Sequence, residues 1–172
     1  MRKIDFLDAN QMAKINKIAL FHYLDDNEKK LLLQNADFFE YYKGEKIITQ
    51  GEVSSCFYVV FSGDLKVTVI GENGMEFQIS TINEGDFFGE TGIFSNGQRT
   101  ANVSPVDTAQ VLRIGRNDFF TFIRTYPRAG VNFLMLFVHG LMKKLNASNK
   151  ELTVEREALF DKILFFEKTN EQ

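Results

Sequence analysis

The sequence predicts an α+β chain in which a block of antiparallel strands lies between two helical ends. Three observations carry this reading. Glycines at 44, 51 and 63 cut the stretch 43–69 into short apolar patches, the punctuation of strands and turns. Leu65, Val67 and Val69 alternate with Lys66 and Thr68, the period-two mark of a half-buried strand. On either side, at 8–40 and from 117 onward, apolar residues recur at helical spacing instead.

In chain order, residues 8–40 read as helical, with Met12, Ile15, Ile18 and Leu20 on one side and a second apolar cluster at Leu31–Leu33. Asp25 or Asp26 is placed to cap the second of these helices. Residues 41–115 form the strand region. Within it Gly71-Glu-Asn-Gly74 reads as a hairpin turn, and Phe77, Ile79 and Thr81 continue as the partner strand. Residues 117–172 return to helix: Asn117 or Asp118 caps Phe119–Ile123, and Pro127 opens a long apolar-polar pattern. The three segments, 1–40, 41–115 and 117–172, are expected to make one domain, since no linker-like stretch or internal repeat divides them.

Composition narrows the function classes. With 172 residues, 44% of them hydrophobic, the chain can bury one solid core, and eighteen phenylalanines stand in for the absent tryptophan. A net charge of −3 with scattered Lys and Arg advertises no nucleic-acid surface. The single cysteine, Cys56, lies in a strand-like run and reads as a buried thiol in a reducing compartment; no motif marks it as reactive. The N-terminus lacks the apolar core of a signal peptide, and the run Val131–Val138 is too short to cross a bilayer. These points lead to the expectation of a cytoplasmic protein with no membrane contact. A metal-dependent barrel enzyme would need clustered histidines, but only His22 and His139 occur, and no Ser/His/Asp or Cys/His arrangement can be assembled. No enzyme activity, metal or cofactor is expected.

The most informative stretch is the cassette 86–101, Asp-Phe-Phe-Gly-Glu-Thr-Gly-Ile-Phe-Ser-Asn-Gly-Gln-Arg-Thr-Ala. Glycines beside a short helical turn let backbone N–H groups approach an anion. Arg99 offers a planar, permanently charged fork to two phosphate oxygens, and Thr100 one more hydroxyl. Glu90 would repel a phosphate but accepts well from a sugar hydroxyl. A small ligand with a phosphate and a neighbouring ribose suits this grouping. An ion pair between Glu90 and Arg99 in a loop is the plainer alternative.

Taken with the glycines at 44, 51 and 63, the run Glu84-Gly-Asp-Phe-Phe-Gly-Glu90 and the ending Arg99-Thr-Ala101 resemble the cyclic nucleotide-binding domain family, of the catabolite-activator and kinase-regulatory-subunit type. The resemblance covers roughly residues 16–150. It implies an antiparallel β-barrel or jelly roll (a double-stranded β-helix) flanked by N-terminal helices and a long C-terminal helix. It also implies a cyclic nucleotide receptor that signals through movement of the cassette and of that helix. Carried over residue by residue, Gly89 and Glu90 would hold the ribose, with Thr91 and Gly92 extending the run of backbone donors. Arg99 and Thr100 would take the cyclic phosphate. Val67, Ile79 and Ile82 would line an apolar wall with Ser80 between them, although all three can equally be barrel core. On the long helix, Lys143-Lys-Leu-Asn-Ala-Ser-Asn149 resembles the segment that caps the base. That would set Ser148 and Asn149 near the purine and Lys144 near the phosphate, with a solvated helix face as the alternative. Related cGMP-selective domains share the Arg-Thr-Ala ending but often carry arginine where this chain has Ser80, so the resemblance tilts towards cAMP over cGMP. Only about twenty residues follow the resembling region, too few for a helix-turn-helix module, and direct DNA binding is not expected.

The long helix suggests a partner as well. Val138, Leu141, Leu145, Ser148, Leu152, Glu155 and Leu159 follow alternating three- and four-residue steps, a heptad-like seam with two polar members that implies a parallel homodimer. Beyond it, Leu159, Phe160, Ile163, Leu164, Phe165 and Phe166 are too apolar for water and are expected to fold back on the barrel or to serve as a partner or dimer surface. The effector that would receive the signal is not encoded in these residues. The competing function, from another class, is an interaction module on the same fold whose pocket is filled by its own side chains, Phe88 or the C-terminal aromatics.

Overall fold

The computed structural model describes residues 1–4, 9–94 and 97–170, with side chains described for 1–4, 12–94 and 97–160. It begins with a short strand β1 (Arg2–Lys3), helix α1 (Ala9–Ile15), one 3-10 turn (Ala19–Phe21) and helix α2 (Asp26–Gln34). Asp25, rather than Asp26, caps α2. Its side chain accepts from the backbone N–H groups of Asn27 and Glu28 at 2.8 and 2.9 Å, while Glu28 accepts from the Asp25 N–H at 2.9 Å. This reciprocal box satisfies donors that a helix start otherwise leaves orphaned.

Strand β2 (Ala36–Tyr42) begins where the sequence reading still had helix. Asn35 leaves helical geometry at φ −106°, and the aromatic run Phe38, Phe39 and Tyr41 is then laid on a pleat. The deciding partner is remote: β2 pairs along its whole length with β8 (Thr108–Gly115), from Ala36 opposite Ile114 to Tyr42 opposite Thr108. No local signal could have shown that pairing.

The remaining strands are β3 (Cys56–Ser62), β4 (Leu65–Ile70), β5 (Glu76–Ile82), β6 (Phe87–Phe88) and β7 (Asn102–Pro105). They form a five-stranded sheet in the order β1-β2-β8-β3-β6 and a three-stranded sheet in the order β5-β4-β7, with every pair antiparallel. Both sheets feed one core. Tyr41, Tyr58, Val60 and Val111 from the first meet Leu65, Ile82 and Val103 from the second. Two sheets closed over a shared apolar interior make the jelly roll.

β3 is buried on both faces. Tyr58 and Val60 point into the barrel, while Phe57 and Phe61 face the other way. There the Phe57 ring meets Phe119 edge-on at 5.4 Å, and Phe61 meets Phe38 at 4.7 Å. The hairpin from β4 to β5 turns at 71–75, closed by the Gly71 N–H on the Met75 carbonyl and the Gly74 N–H on Gly71. A bulge interrupts its ladder: Val67 opposes Ser80, yet Thr68 opposes Gln78, so Ile79 is the extra residue. The extra residue shifts the alternation of β5; on β4, which stays in regular register with β7, Thr68 rather than Val69 is the buried residue.

Helix α3 is a single turn (Thr91–Phe94), α4 spans Arg116–Thr125, and α5 runs from Pro127 to Asn170. α4 starts earlier than the sequence suggested. Gly115 is its N-cap without a side-chain bond, and Asn117 and Asp118 lie inside the first turn. Pro127 occupies the first position of α5, where a missing N–H costs nothing.

The chain resolves into two compact units, Met1–Asn132 and Phe133–Gln172. The first holds the barrel and the cassette. The second is the body of α5, on which Val138, Leu141, Leu145, Leu152 and Leu159 are 39–61% exposed. Phe160 is exposed as well, and the side chains of Ile163 to Phe166 lie outside the described residues. Among the described residues no helix is long and apolar enough to cross a membrane.

Candidate functional site

The cassette is built on β3. Phe88 of β6 pairs with Tyr58 and stacks on its ring at 5.0 Å, nearly parallel at 13°. With 2% exposure, Phe88 belongs to the barrel core. Gly89 then takes φ +74°, a left-handed conformation that side-chain-bearing residues adopt only at a penalty. Its carbonyl receives the Gly92 N–H at 3.1 Å, and the Glu90 carbonyl receives the Ile93 N–H at 3.0 Å, closing the turn α3. The Gly92 amide is thus engaged within the turn, contrary to the expectation that it is open to an anion. Ile93 is fully buried and anchors the turn, while Thr91 is exposed.

Arg99 returns to the same place from the far end of the cassette. Its backbone is clamped on the loop before β3, with Arg99 N–H on the Glu52 carbonyl and Gly51 N–H on the Arg99 carbonyl, both at 2.8 Å. The side chain is only 5% exposed. Nη1 donates to the Gly89 carbonyl and Nη2 to the Cys56 carbonyl, each at 2.7 Å, with the Cys56 Sγ a further 3.6 Å contact of Nη2. Nε is buried and has no partner among the described residues. Glu90 is also buried, at 4% exposure, but it is not among the partners of Arg99, so the simple Glu90–Arg99 ion pair is not what forms.

This packing depends on missing side chains. A Cβ on Gly92 would lie 2.5 Å from the Ser54 carbonyl oxygen and 2.7 Å from Arg99 Nη1. One on Gly89 would lie 2.9 Å from the same Nη1. Gly92→Ala is therefore expected to push the guanidinium off its carbonyls and to cost about 1–3 kcal/mol of stability, the usual penalty of overpacking. Thermal or urea melts of the variant check this; unchanged stability would show that the contact is not tight.

Cys56 sits at the junction, 1% exposed. Burial pushes its thiol up, but hydrogen bonds from Ser54, Tyr58 and Arg113, with the Arg113 charge, outweigh burial and hold it below the ordinary thiol range. The Ser54 Oγ lies 3.2 Å from Sγ. Sequence reasoning had Cys56 only as core, since nothing in its spacing shows that it meets a residue 43 positions away.

The other expected site residues fall into three groups. Thr100 is exposed next to buried Arg99. Ile82 is core and Val67 packs partly against it, whereas Ile79, in the bulge, is 48% exposed, and Ser80 is exposed with its hydroxyl on the Thr81 carbonyl at 3.2 Å. Lys144, Ser148 and Asn149 stand on the second unit, each at an exposed position of α5. Among the described residues no group of three or more His, Cys, Asp or Glu is arranged to hold a metal, and both histidines are exposed.

A jelly roll with a Gly-Glu turn and a buried arginine closing on it defines a class of ligand-binding regulatory domain, and comparison with known proteins agrees. The chain belongs to the cyclic nucleotide-binding domain family, whose model matches residues 38–126. It is 29% identical over 133 residues to the cyclic AMP receptor protein of Thermus thermophilus, covering 77% of this chain and 60% of that protein. It is 34% identical over 110 residues to the cGMP-dependent protein kinase egl-4 of Caenorhabditis elegans, covering 63% of this chain and 14% of the kinase. The chain thus spans less than two thirds of either relative. The crystal structure of the Thermus thermophilus catabolite activator protein superposes with a TM-score of 0.65 at 28% identity, over 78% of this chain and 62% of that one.

Proposed function

We propose that this chain is a receptor that takes cAMP in preference to cGMP at the cassette and acts as a binding domain, not an enzyme. The observation that carries the reading is the Nε of Arg99, a buried donor on a permanent cation with no partner among the described residues and no carboxylate among its hydrogen bonds. Such a group is costly to bury unpaired, and a phosphate oxygen is the acceptor that suits it best. The exposed Thr100 hydroxyl next to it adds a donor, and Glu90 supplies the acceptor for a ribose hydroxyl. Lys144, Ser148 and Asn149 are the proposed base-side contacts, and Ser80 in place of an arginine favours adenine.

Signalling follows from the same hydrogen bonds. A phosphate drawn onto Nε pulls on the same guanidinium whose Nη1 holds the Gly89 carbonyl, and that carbonyl belongs to the cassette. Ligand binding then biases a two-state cassette, with α5 as the second moving part. Output passes to an effector protein or through a homodimer formed on the α5 seam. For the dimer, Leu145→Glu is expected to turn a dimeric protein into a monomer in sedimentation; a wild-type protein already monomeric at high concentration would sink the seam assignment.

The decisive experiment is calorimetric titration of nucleotide-stripped protein with cAMP and cGMP. Saturable binding, tighter for cAMP, supports the reading, and tighter cGMP overturns the choice of base. No heat with either favours the competing interaction module, in which the carbonyl partners of Arg99 are its permanent ones.

A further inference from the structure

We propose that Cys56 is a positioning residue for the phosphate-site arginine, and that its side chain acts as an internal acceptor competing with the ligand phosphate for Arg99. The inference rests on the phosphate assignment above. Its basis is geometric. Nη2 of Arg99 touches Cys56 twice, on the carbonyl at 2.7 Å and on Sγ at 3.6 Å. Both groups are buried, at 5% and 1% exposure, so water does not screen the contact. A second observation points to a ligand at this place: the same guanidinium keeps a buried Nε with no partner among the described residues.

The surroundings of the sulfur are rich in donors and cations. Ser54 Oγ lies 3.2 Å away on the approach to β3. Tyr58 faces it from β3, Tyr41 from β2 and Arg113 from β8, and Arg113 is itself paired with Asp37 at 3.3 Å. Burial pushes the thiol up, but Ser54, Tyr58 and Arg113 together hold it below its ordinary range. When its proton leaves to solvent, the thiolate becomes a fixed anion against Arg99 Nη2, and a phosphate arriving at the same guanidinium meets a cation already partly neutralised. The sign is therefore set: rising pH loads Sγ with negative charge and weakens nucleotide binding, while a serine at this position keeps an uncharged acceptor throughout.

The test is the pH profile of cAMP affinity for the wild-type protein and for Cys56→Ser, from neutral to about pH 9. Wild-type affinity is expected to fall about tenfold over that span, equivalent to one pKa unit of coupling, and the serine variant to stay flat. Parallel profiles would overturn the proposal. A second arm needs no nucleotide. The thiolate ultraviolet absorbance of Cys56, with Cys56→Ser as the blank, is titrated in otherwise wild-type protein and in folded Arg99→Gln. An upward move of the midpoint on losing Arg99 supports the contact, and an unmoved midpoint overturns it. Failure of cAMP and cGMP to bind at any pH, with the midpoint moved, would instead count against the nucleotide reading alone.

Discussion

Arg99→Ala is expected to abolish measurable nucleotide binding. Two charged hydrogen bonds to phosphate oxygens contribute about 1.5–3 kcal/mol each, so their loss weakens affinity by about a hundredfold or more. No other cation is placed in the cassette 86–101 to replace it. Arg99→Lys should lose more than about 1 kcal/mol, because a single ammonium cannot span two carbonyls and still present a planar fork. Folding adds a complication that the measurement must separate. Removing the guanidinium strips the Gly89 and Cys56 carbonyls of their partners, at about 1–3 kcal/mol for each left buried. The same substitution removes the orphaned Nε, which offsets part of the loss. Calorimetry well below the melting temperature of the variant, with its melt recorded alongside, isolates binding. Undiminished affinity in a folded Arg99→Ala protein would refute the phosphate assignment.

Phe57→Ala should have the largest effect on stability. Phe57 is fully buried on the face of β3 that turns away from the barrel, with its ring edge-on to Phe119 of α4. Truncating such a ring loses transfer free energy and leaves a cavity, about 3–5 kcal/mol in all. Small domains have only about 5–15 kcal/mol to lose. A control on the same fold sharpens the prediction. Phe77 is 50% exposed on the edge strand β5, and Phe77→Ala should shift stability by about 0.5 kcal/mol or less. Urea denaturation of both proteins decides it; similar midpoints would mean that the β3–α4 layer is not where the stability lies.

These two residues also show how unevenly the sequence can be read. Phe57 and Phe77 are the same amino acid in two strand-like runs, and nothing local says that one is central and the other at an edge. That difference comes from strand order, which places β3 between β8 and β6 and leaves β5 outside. β2 went the same way. Ala36–Glu40 continues an apolar pattern compatible with helix, and its strand state comes from pairing with a segment seventy or more residues on.

Local chemistry was legible because local physics writes it. The α+β character, the hairpin at 71–74, a cap at Asp25 or Asp26, the proline that opens α5 and the nearness of a Gly-Glu turn to an arginine in 86–101 all follow from residue types at short spacing. The destination of the Arg99 guanidinium did not follow. It ends on the carbonyls of Gly89 and Cys56 because two glycines leave room for it and because β3 brings Cys56 beneath the cassette. The bulge at Ile79 is likewise a property of the paired strands. Short-range sterics and hydrogen bonding set what each segment can become. Which buried charge meets which acceptor is settled by long-range packing, where distances along the chain carry no information.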